Sequence, residues 1–339
     1  MVGKIESWLG MSANPFSDIT PDSDGPHVAG AEPWWREAWY FEFYDARAEL
    51  QFQAYQGVFP NASSGDLNAA FFHKGQPVHR IEKMDFTVPP DSVEDRLCFG
   101  PLKLEQIKPL CKWRLDYDSP EVHAHLTFDA VHPPFSWAAA NLSAGDSVGP
   151  KQGVHHFDQL GRYTGSVWVG SEELKVDTLG FRDRMWGWGN RKNWRAYLVM
   201  WAAFSEDCVV NVVVQKFDGG CQSLTGYLSL DGAPCLLKRA SIDVEWDPRR
   251  GQTVARINAT VEDLRGRRFA FTGCPQGISD TSHRWPQRSD HMMFSVGEYK
   301  SGDRVGHGVM NWAFKTEADK IGRLEAATEN PGGKVVAND

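Results

Sequence analysis

From Trp34 onward, apolar and polar residues alternate with a period of two, and helical periodicity is scarce. Segment 122–128, for example, places its apolar residues on one face of a predicted strand and its two histidines and its threonine on the other. Hairpin turns are predicted between paired alternating segments at 170–172, 205–207, 264–266 and 301–303. Many short strands with regularly spaced turns predict an all-β chain built as barrels or sandwiches.

The chain of 339 residues is long enough for two domains. Gly187 and Gly189 interrupt consecutive predicted strands, which favours a boundary after residue 189. A helix is predicted only over 315–330. The resulting division has four parts: an irregular acidic arm (1–30), a first β domain (31–189), a second β domain (190–328) and a flexible tail (329–339).

Charge and composition exclude several classes of function. With 36 basic against 44 acidic residues, the net charge of −8 argues against nucleic-acid and anionic-membrane surfaces. No signal peptide and no apolar run of membrane-spanning length is found, so we expect no membrane span and a cytoplasmic location. The six cysteines contain no C-x-x-C pair, and no phosphate- or dinucleotide-binding motif is present. We therefore expect no cofactor.

The aromatic content is the most informative feature of the composition. The chain has 14 Trp, 8 Tyr and 19 Phe. Trp and Tyr combine a large apolar surface with one polar group, which suits a pocket for an apolar ligand. The sequence therefore favours a hydrophobic small molecule as the partner. A purely structural, Trp-rich core is the alternative.

The first segment with candidate chemistry is 34–45, read as a strand. Its more apolar face places Glu37 among four aromatic side chains. A carboxyl group there resists ionisation, because desolvation disfavours its charged form, and a neutral carboxylic acid suits general-acid chemistry on an alkene. Alternatively, Glu37 pairs with an arginine elsewhere and organises the core. The substrate-binding candidates of this segment are Trp35, Trp39, Tyr40 and Phe41.

The second segment, 180–187, places Asp183 between Phe181 and Met185 on one face of a strand. An acidic residue in that setting suggests a buried, purposeful carboxyl group, and a structural hydrogen-bonded aspartate is the alternative. Because neighbouring residues point to opposite faces, Asp183 need not contact the adjacent arginines. Candidate substrate-binding residues from this region are Arg182, Arg184, Trp186 and Trp188.

The third segment, 154–159, contains the adjacent histidines His155 and His156. They point to opposite faces of a strand, so at most one of them faces a cavity, where it is suited to proton transfer near neutral pH. His123 and His125 share a face, but no acidic ligand follows at a supporting spacing. We expect no metal site.

At these residues the chain resembles the carotenoid 1,2-hydratase and kievitone hydratase-like group of double lipocalin-like proteins. The run WWREAWYFEFYD is similar to that group's W-x-E-x-x-Y-F-x-F-x-D opening, and HHFDQLGRYTGSVWVG…GFRDRMWG is similar to its G-R-x-T-G…R-D-H-S-W-G block. The resemblance implies two consecutive lipocalin-like (calycin) antiparallel β-barrels and addition of water to an alkene of a terpenoid or prenylated phenolic. Motif positions are matched by Glu37, Asp45, Arg182, Asp183 and Trp186, whereas Arg184 and Met185 stand where the group has His and Ser.

Three functional hypotheses follow. The first is a cofactor-independent acid–base enzyme, a hydratase or dehydratase, isomerase or cyclase, acting on a terpenoid, steroid or phenylpropanoid-like substrate in an aromatic-lined cavity. There Asp183 or Glu37 protonates the substrate, and His155 or His156 serves the second proton transfer. The second is a carrier without catalysis. The third is a lyase or isomerase of an anionic aromatic compound, gripped by Arg182 and Arg184.

Overall fold

The computed structural model describes residues 19–88, 97–137, 154–187, 194–220, 222–282 and 291–327. The described residues form two compact units, the first reaching to Gly187 and the second beginning at Trp194. The boundary predicted after residue 189 lies outside the described residues, as do the predicted tail and most of the predicted arm. Among the described residues, no helix is long and apolar enough to cross a membrane.

The first unit is an eleven-stranded antiparallel sheet in the order β4-β3-β2-β1-β11-β10-β8-β7-β6-β5, with β9 paired to β10. Short 3-10 turns at Pro21–Ser23 and Pro60–Ala62 accompany it. The strands are β1 (Arg36–Asp45), β2 (Leu50–Phe59), β3 (Ser64–His73), β4 (Gln76–Thr87), β5 (Cys98–Phe99), β6 (Leu102–Lys108), β7 (Lys112–Asp118), β8 (Val122–Ala130), β9 (Phe135–Ser136), β10 (Val154–Val169) and β11 (Glu172–Gly187).

The second unit is a nine-stranded sheet in which β14 also pairs with β15, so that eight strands close into a ring and β20 adds to β15. Its short 3-10 turns are Asp218–Gly220 and Glu317–Asp319. The strands are β12 (Trp194–Ser205), β13 (Cys208–Phe217), β14 (Gln222–Leu230), β15 (Ala233–Trp246), β16 (Val254–Asp263), β17 (Arg268–Asp280), β18 (His291–Ser301), β19 (Arg304–Phe314) and β20 (Arg323–Ala327).

The prediction of an all-β chain with two antiparallel barrels is confirmed, and all four predicted hairpin turns join paired strands. The helix predicted over 315–330 is wrong. That segment contains a 3-10 turn and then β20, in which buried Leu324 and Ala326 alternate with exposed Arg323 and Glu325. Pairing with β15 buries the two apolar residues and so favours the strand.

Closely packed aromatic rings fill the interior of the first barrel. Phe43 lies 4.9 Å from Tyr163 and 5.5 Å from Phe52, centroid to centroid, and Phe41 lies 5.9 Å from Trp113. These separations are typical of favourable aromatic packing. The interior of this barrel is therefore a packed core.

Two glycines of the G-R-x-T-G motif are needed for the close pairing of β8 with β10. Gly165 has φ +138°, and a Cβ there would lie 2.1 Å from the carbonyl oxygen of His125. A Cβ on Gly161 would lie 2.2 Å from the ring of Phe128. Glycine is required at both places because the neighbouring strand leaves no space for a side chain.

Candidate functional site

The pairing of β1, β10 and β11 places the candidate residues on two opposite faces. Trp39 is paired with Arg184 on the inner face, which packs against the barrel core. Tyr40 is paired with Asp183 on the other face, called the outer face below, and Asp183 is in turn paired with Asp158 of β10. The outer face is also largely buried, since Tyr40 and Asp158 are 3% and 2% exposed.

His156 stands between two carboxylates on the outer face. Its Nε2 lies 3.3 Å from Asp158 Oδ1 and 3.6 Å from Asp183 Oδ2. Its ring stacks on Trp137 at 3.9 Å, and Trp137 Nε1 donates a 2.6 Å hydrogen bond to Asp158 Oδ2. Burial by itself lowers the pKa of His156, but the charge of Asp183 and the contacts with Asp158 outweigh it and raise that pKa to about 9. At neutral pH the imidazole is therefore charged.

Glu42 is a second acidic residue of the outer face, and sequence reasoning missed it. Its Oε2 accepts a hydrogen bond from Tyr40 Oη, whereas its Oε1 is buried and has no hydrogen-bond partner in the described part of the chain. Burial and the nearby charge of Asp183 raise the pKa of Glu42 well above its usual value. Both effects favour the neutral, protonated form of Glu42. The available clue was its position two residues after Tyr40, on the same strand face.

The prediction that Glu37 resists ionisation is wrong. Glu37 Oε2 accepts a short hydrogen bond from Arg184 Nη2, and its Oε1 accepts a 2.8 Å hydrogen bond from the backbone N–H of His27. Burial tends to raise the pKa of Glu37, but the hydrogen bonds with His27 and the charge of Arg184 outweigh it and lower the pKa. Pairing with an arginine, the alternative interpretation, is what the structure contains. Glu37 is ionised and unsuited to act as a general acid.

Arg182 and Arg184 are fully buried, and bonds within the protein already engage the guanidinium groups that were predicted to contact a ligand. Arg182 donates to Asp24 Oδ1 at 2.5 Å and to Gln159 Oε1 at 2.6 and 2.9 Å. The guanidinium of Arg184 lies 4.1 Å from the ring centroid of Trp39. The lyase hypothesis for anionic substrates therefore loses the two residues on which it depended.

Asp24 is a further buried carboxylate that the sequence left in an irregular arm. Its Oδ2 accepts hydrogen bonds from the backbone N–H of Leu110 at 2.6 Å and from Trp113 Nε1 at 3.1 Å. Burial tends to raise the pKa of Asp24, but Arg182 and these donors outweigh it and lower the pKa. Residues 20–27 are thereby anchored to the inner face by charge pairs.

The remaining candidates are distributed over both faces. Trp39 and Phe41 were predicted to bind substrate. Both belong to the packed core, where they have a structural role. Trp186 stacks on His155 at 4.8 Å and on His27 at 4.5 Å, which places His155 away from the face of His156. Trp35 is partly buried in the segment preceding β1, and Trp188 lies outside the described residues.

His156, Asp158 and Asp183 on the outer face could together hold a metal ion. One nitrogen of His156 and one carboxylate oxygen each from Asp158 and Asp183 lie within 4.8 Å of one another. One imidazole and two carboxylates form a ligand set used for divalent transition metals. A cation and the proton of His156 would compete for the same nitrogen, because a ligating imidazole must be neutral.

A family model described as "Domain of unknown function (DUF7064)" matches residues 20–316 of the chain. No curated protein sequence matches it. The chain is similar in fold to several solved structures. One is kievitone hydratase from Nectria haematococca, at 12% identity and a TM-score of 0.58, with 88% of this chain and 94% of that chain covered. A candidate AttH from Nitrosomonas europaea has 13% identity and a TM-score of 0.62, covering 88% and 96%.

A third similar structure is that of CghA with Sch210972, at 14% identity and a TM-score of 0.57, covering 91% of this chain and 98% of that chain. Identities this low establish a shared fold and nothing more. The fold resemblance to the kievitone hydratase-like group of double lipocalin-like barrels is thereby confirmed.

Proposed function

The chain belongs to the DUF7064 family, and we propose that it is a cofactor-independent acid–base enzyme, a hydratase, dehydratase, isomerase or cyclase, whose chemistry takes place on the outer face of the first barrel. One observation carries the proposal: the buried carboxyl group of Glu42, whose pKa is raised, and the charged imidazole of His156 beside Asp183 occupy the same face of neighbouring strands. Buried environments that strongly shift the pKa values of neighbouring titratable groups are typical of proton-transfer sites in enzymes.

In this mechanism Glu42 is the general acid. Its Oε2 is occupied by Tyr40 Oη, so the proton resides on the unpartnered Oε1 and can be donated to a substrate alkene or carbonyl. For hydration, proton transfer to the alkene leaves a carbocation, and water forms the new C–O bond. Asp183 accepts the proton that this water loses, and exchange with solvent restores both carboxyl groups.

His156, Asp158 and Trp137 are positioning residues. The imidazole Nε2 of His156 lies 3.6 Å from Asp183 Oδ2 and orients that carboxyl group for proton transfer. Asp158 and the stacked indole of Trp137 fix the orientation of that imidazole. The chain's own groups thus supply both proton transfers.

The comparisons support the reaction class without specifying the substrate. A protein of the same fold is named as a hydratase, and CghA of the same fold is seen with the small molecule Sch210972. We propose a hydrophobic terpenoid, steroid or phenylpropanoid-like compound as the substrate. That proposal rests on the aromatic content of the chain and on its fold.

The test is incubation of the purified protein with a panel of such compounds, followed by native mass spectrometry and chromatography. We expect one compound class to change mass by one water, or to give a product of unchanged mass that elutes differently. Asp183→Asn and Glu42→Gln should each lower turnover by about 10²–10⁴-fold while ligand binding persists. Asp177→Asn on the same strand, with a half-exposed side chain, is the matched control.

A stable complex with unaltered ligand across the whole panel would instead identify a carrier. Normal turnover by Glu42→Gln would remove Glu42 from the mechanism. Loss of folding and of binding together in Asp183→Asn would show that Asp183 is structural.

A further inference from the structure

Beside the acid of the proposed site lies a cluster of buried amide groups on the outer face. Gln53 of β2 is paired with Glu42 of β1 on one side and with Ala70 of β3 on the other. Asn68 lies on β3, two residues before Ala70 and thus on the same face. Glu42, Gln53 and Asn68 are named the amide patch below.

The polar atoms of the amide patch are buried and lack partners. Glu42, Gln53 and Asn68 are each 1% exposed. In the described part of the chain, Gln53 Oε1 and Nε2, Asn68 Nδ2 and Glu42 Oε1 have no hydrogen-bond partner. Buried polar side-chain atoms are nearly always hydrogen-bonded in native proteins, so these three amide atoms and one carboxyl oxygen on neighbouring strands require an explanation.

The chemistry of these atoms indicates what would satisfy them. The two amide nitrogens are donors and Gln53 Oε1 is an acceptor. The carboxyl group of Glu42 is a third donor in the protonated form that its burial favours. Donors in excess favour a group rich in oxygen lone pairs. A carbonyl oxygen accepts from two donors, and a hydroxyl both accepts and donates.

We propose that the amide patch binds an oxygen function of the substrate, a carbonyl or hydroxyl group, so that the substrate is an oxygenated compound rather than a pure hydrocarbon. This inference rests on the proposed function, because it places the substrate beside Glu42. It divides the proposed substrate classes: ketones, alcohols and phenols of terpenoid, steroid or phenylpropanoid type fit the patch, and olefins without oxygen do not. A bound carbonyl would also be correctly placed to receive the proton of Glu42.

The test compares matched ligand pairs that differ only in the oxygen atom: tetralone with tetralin, camphor with bornane, and naphthol with naphthalene. Dissociation constants are measured by native mass spectrometry and thermal shift. We expect the wild-type protein to bind the oxygenated member of at least one pair about tenfold more tightly. Gln53→Met keeps the length of the side chain and removes both polar atoms, so it should abolish that preference and leave the affinity for the hydrocarbon unchanged.

Stability provides a second measurement. Because the Gln53 amide is unpartnered without ligand, Gln53→Met should unfold at the same or a higher urea concentration than the wild-type protein. The matched control is Gln51→Met, which removes another buried amide of β2 on the same face and should retain the preference for oxygenated ligands. A lower unfolding midpoint for Gln53→Met would show that Gln53 is structural and would overturn the inference.

Equal affinity within every pair, no binding of any oxygenated member, or an unchanged preference in Gln53→Met would likewise overturn it. Failure of the proposed function has a different signature. In that case the wild-type protein and Asp183→Asn would both prefer the oxygenated ligands, and neither would convert any compound.

Discussion

His156 makes folding stability depend on pH in a defined window. Its pKa rises from 6.5 to about 9 on folding, because Asp183 and Asp158 outweigh the opposing effect of burial. At about 1.4 kcal/mol for each pH unit, the increase is worth about 3 kcal/mol of folding free energy. A pKa raised by folding stabilises the native state fully below the unfolded value. The stabilisation should therefore be complete below pH 6.5 and lost as the pH rises to about 9.

The measurement is urea unfolding followed by tryptophan fluorescence at a series of pH values across that window. The wild-type protein should lose about 3 kcal/mol more than His156→Gln between the two ends of the window, because the variant lacks the titrating group. Asp183→Asn should shift the upper end of the window downward, since the charge of Asp183 raises the pKa of His156. Substitution of His125, 69% exposed at its side chain, is the control for removing a histidine from the surface.

Parallel curves for the wild-type protein and His156→Gln would refute this reasoning. They would mean that His156 is neutral in the folded protein or that its two carboxylate neighbours stand further away. A window that does not move in Asp183→Asn would assign the effect to Asp158 alone.

Two further predictions concern the scaffold. Glu37→Gln leaves the buried Arg184 without its charge partner and should lower the free energy of unfolding in urea by about 3–5 kcal/mol. The control Glu105→Gln breaks an exposed pair and should lower it by about 0–1 kcal/mol. Equal losses in the two variants would contradict the buried ion pair. Gly165→Ala places a Cβ against the neighbouring backbone and should lower the free energy of unfolding more than Gly170→Ala does. At Gly170 nothing lies within 4 Å of an added Cβ, and the left-handed conformation alone costs about 1–2 kcal/mol. The reverse order of unfolding midpoints would contradict the tight β8–β10 contact.

Much of the fold could be predicted from alternation alone. The strands around the four predicted turns each have an apolar face that the barrel core buries, so their period of two is strong and their ends are marked by turn residues. The secondary structure of segment 315–330 was harder to predict, because β20 has only five residues and follows a 3-10 turn. Too few residues alternate there to distinguish a strand from the final turn of a helix.

The candidate site could be predicted only in part. Alternation correctly separated Asp183 from the arginines on either side of it and His155 from His156, because those assignments depend on neighbouring residues. It could not identify what faces each residue from the next strand. Arg184 contacts Glu37 because β1 pairs with β11, although the two residues are 147 positions apart in the sequence. The register of such a pairing cannot be predicted from a local sequence pattern.

Strand β1 therefore carries two buried glutamates whose pKa values shift in opposite directions, and the difference comes from their neighbours. Glu37 on the inner face shares its site with a guanidinium, and its pKa is lowered. On the outer face, burial and the negative charge of Asp183 raise the pKa of Glu42. On the inner face the charges are paired and the rings are packed, so that face stabilises the barrel. The outer face combines a carboxyl group of raised pKa, a charged imidazole and unpartnered amides within a few strand positions. The unpartnered atoms of such a face add nothing to stability, which is why we propose binding and proton transfer as its function.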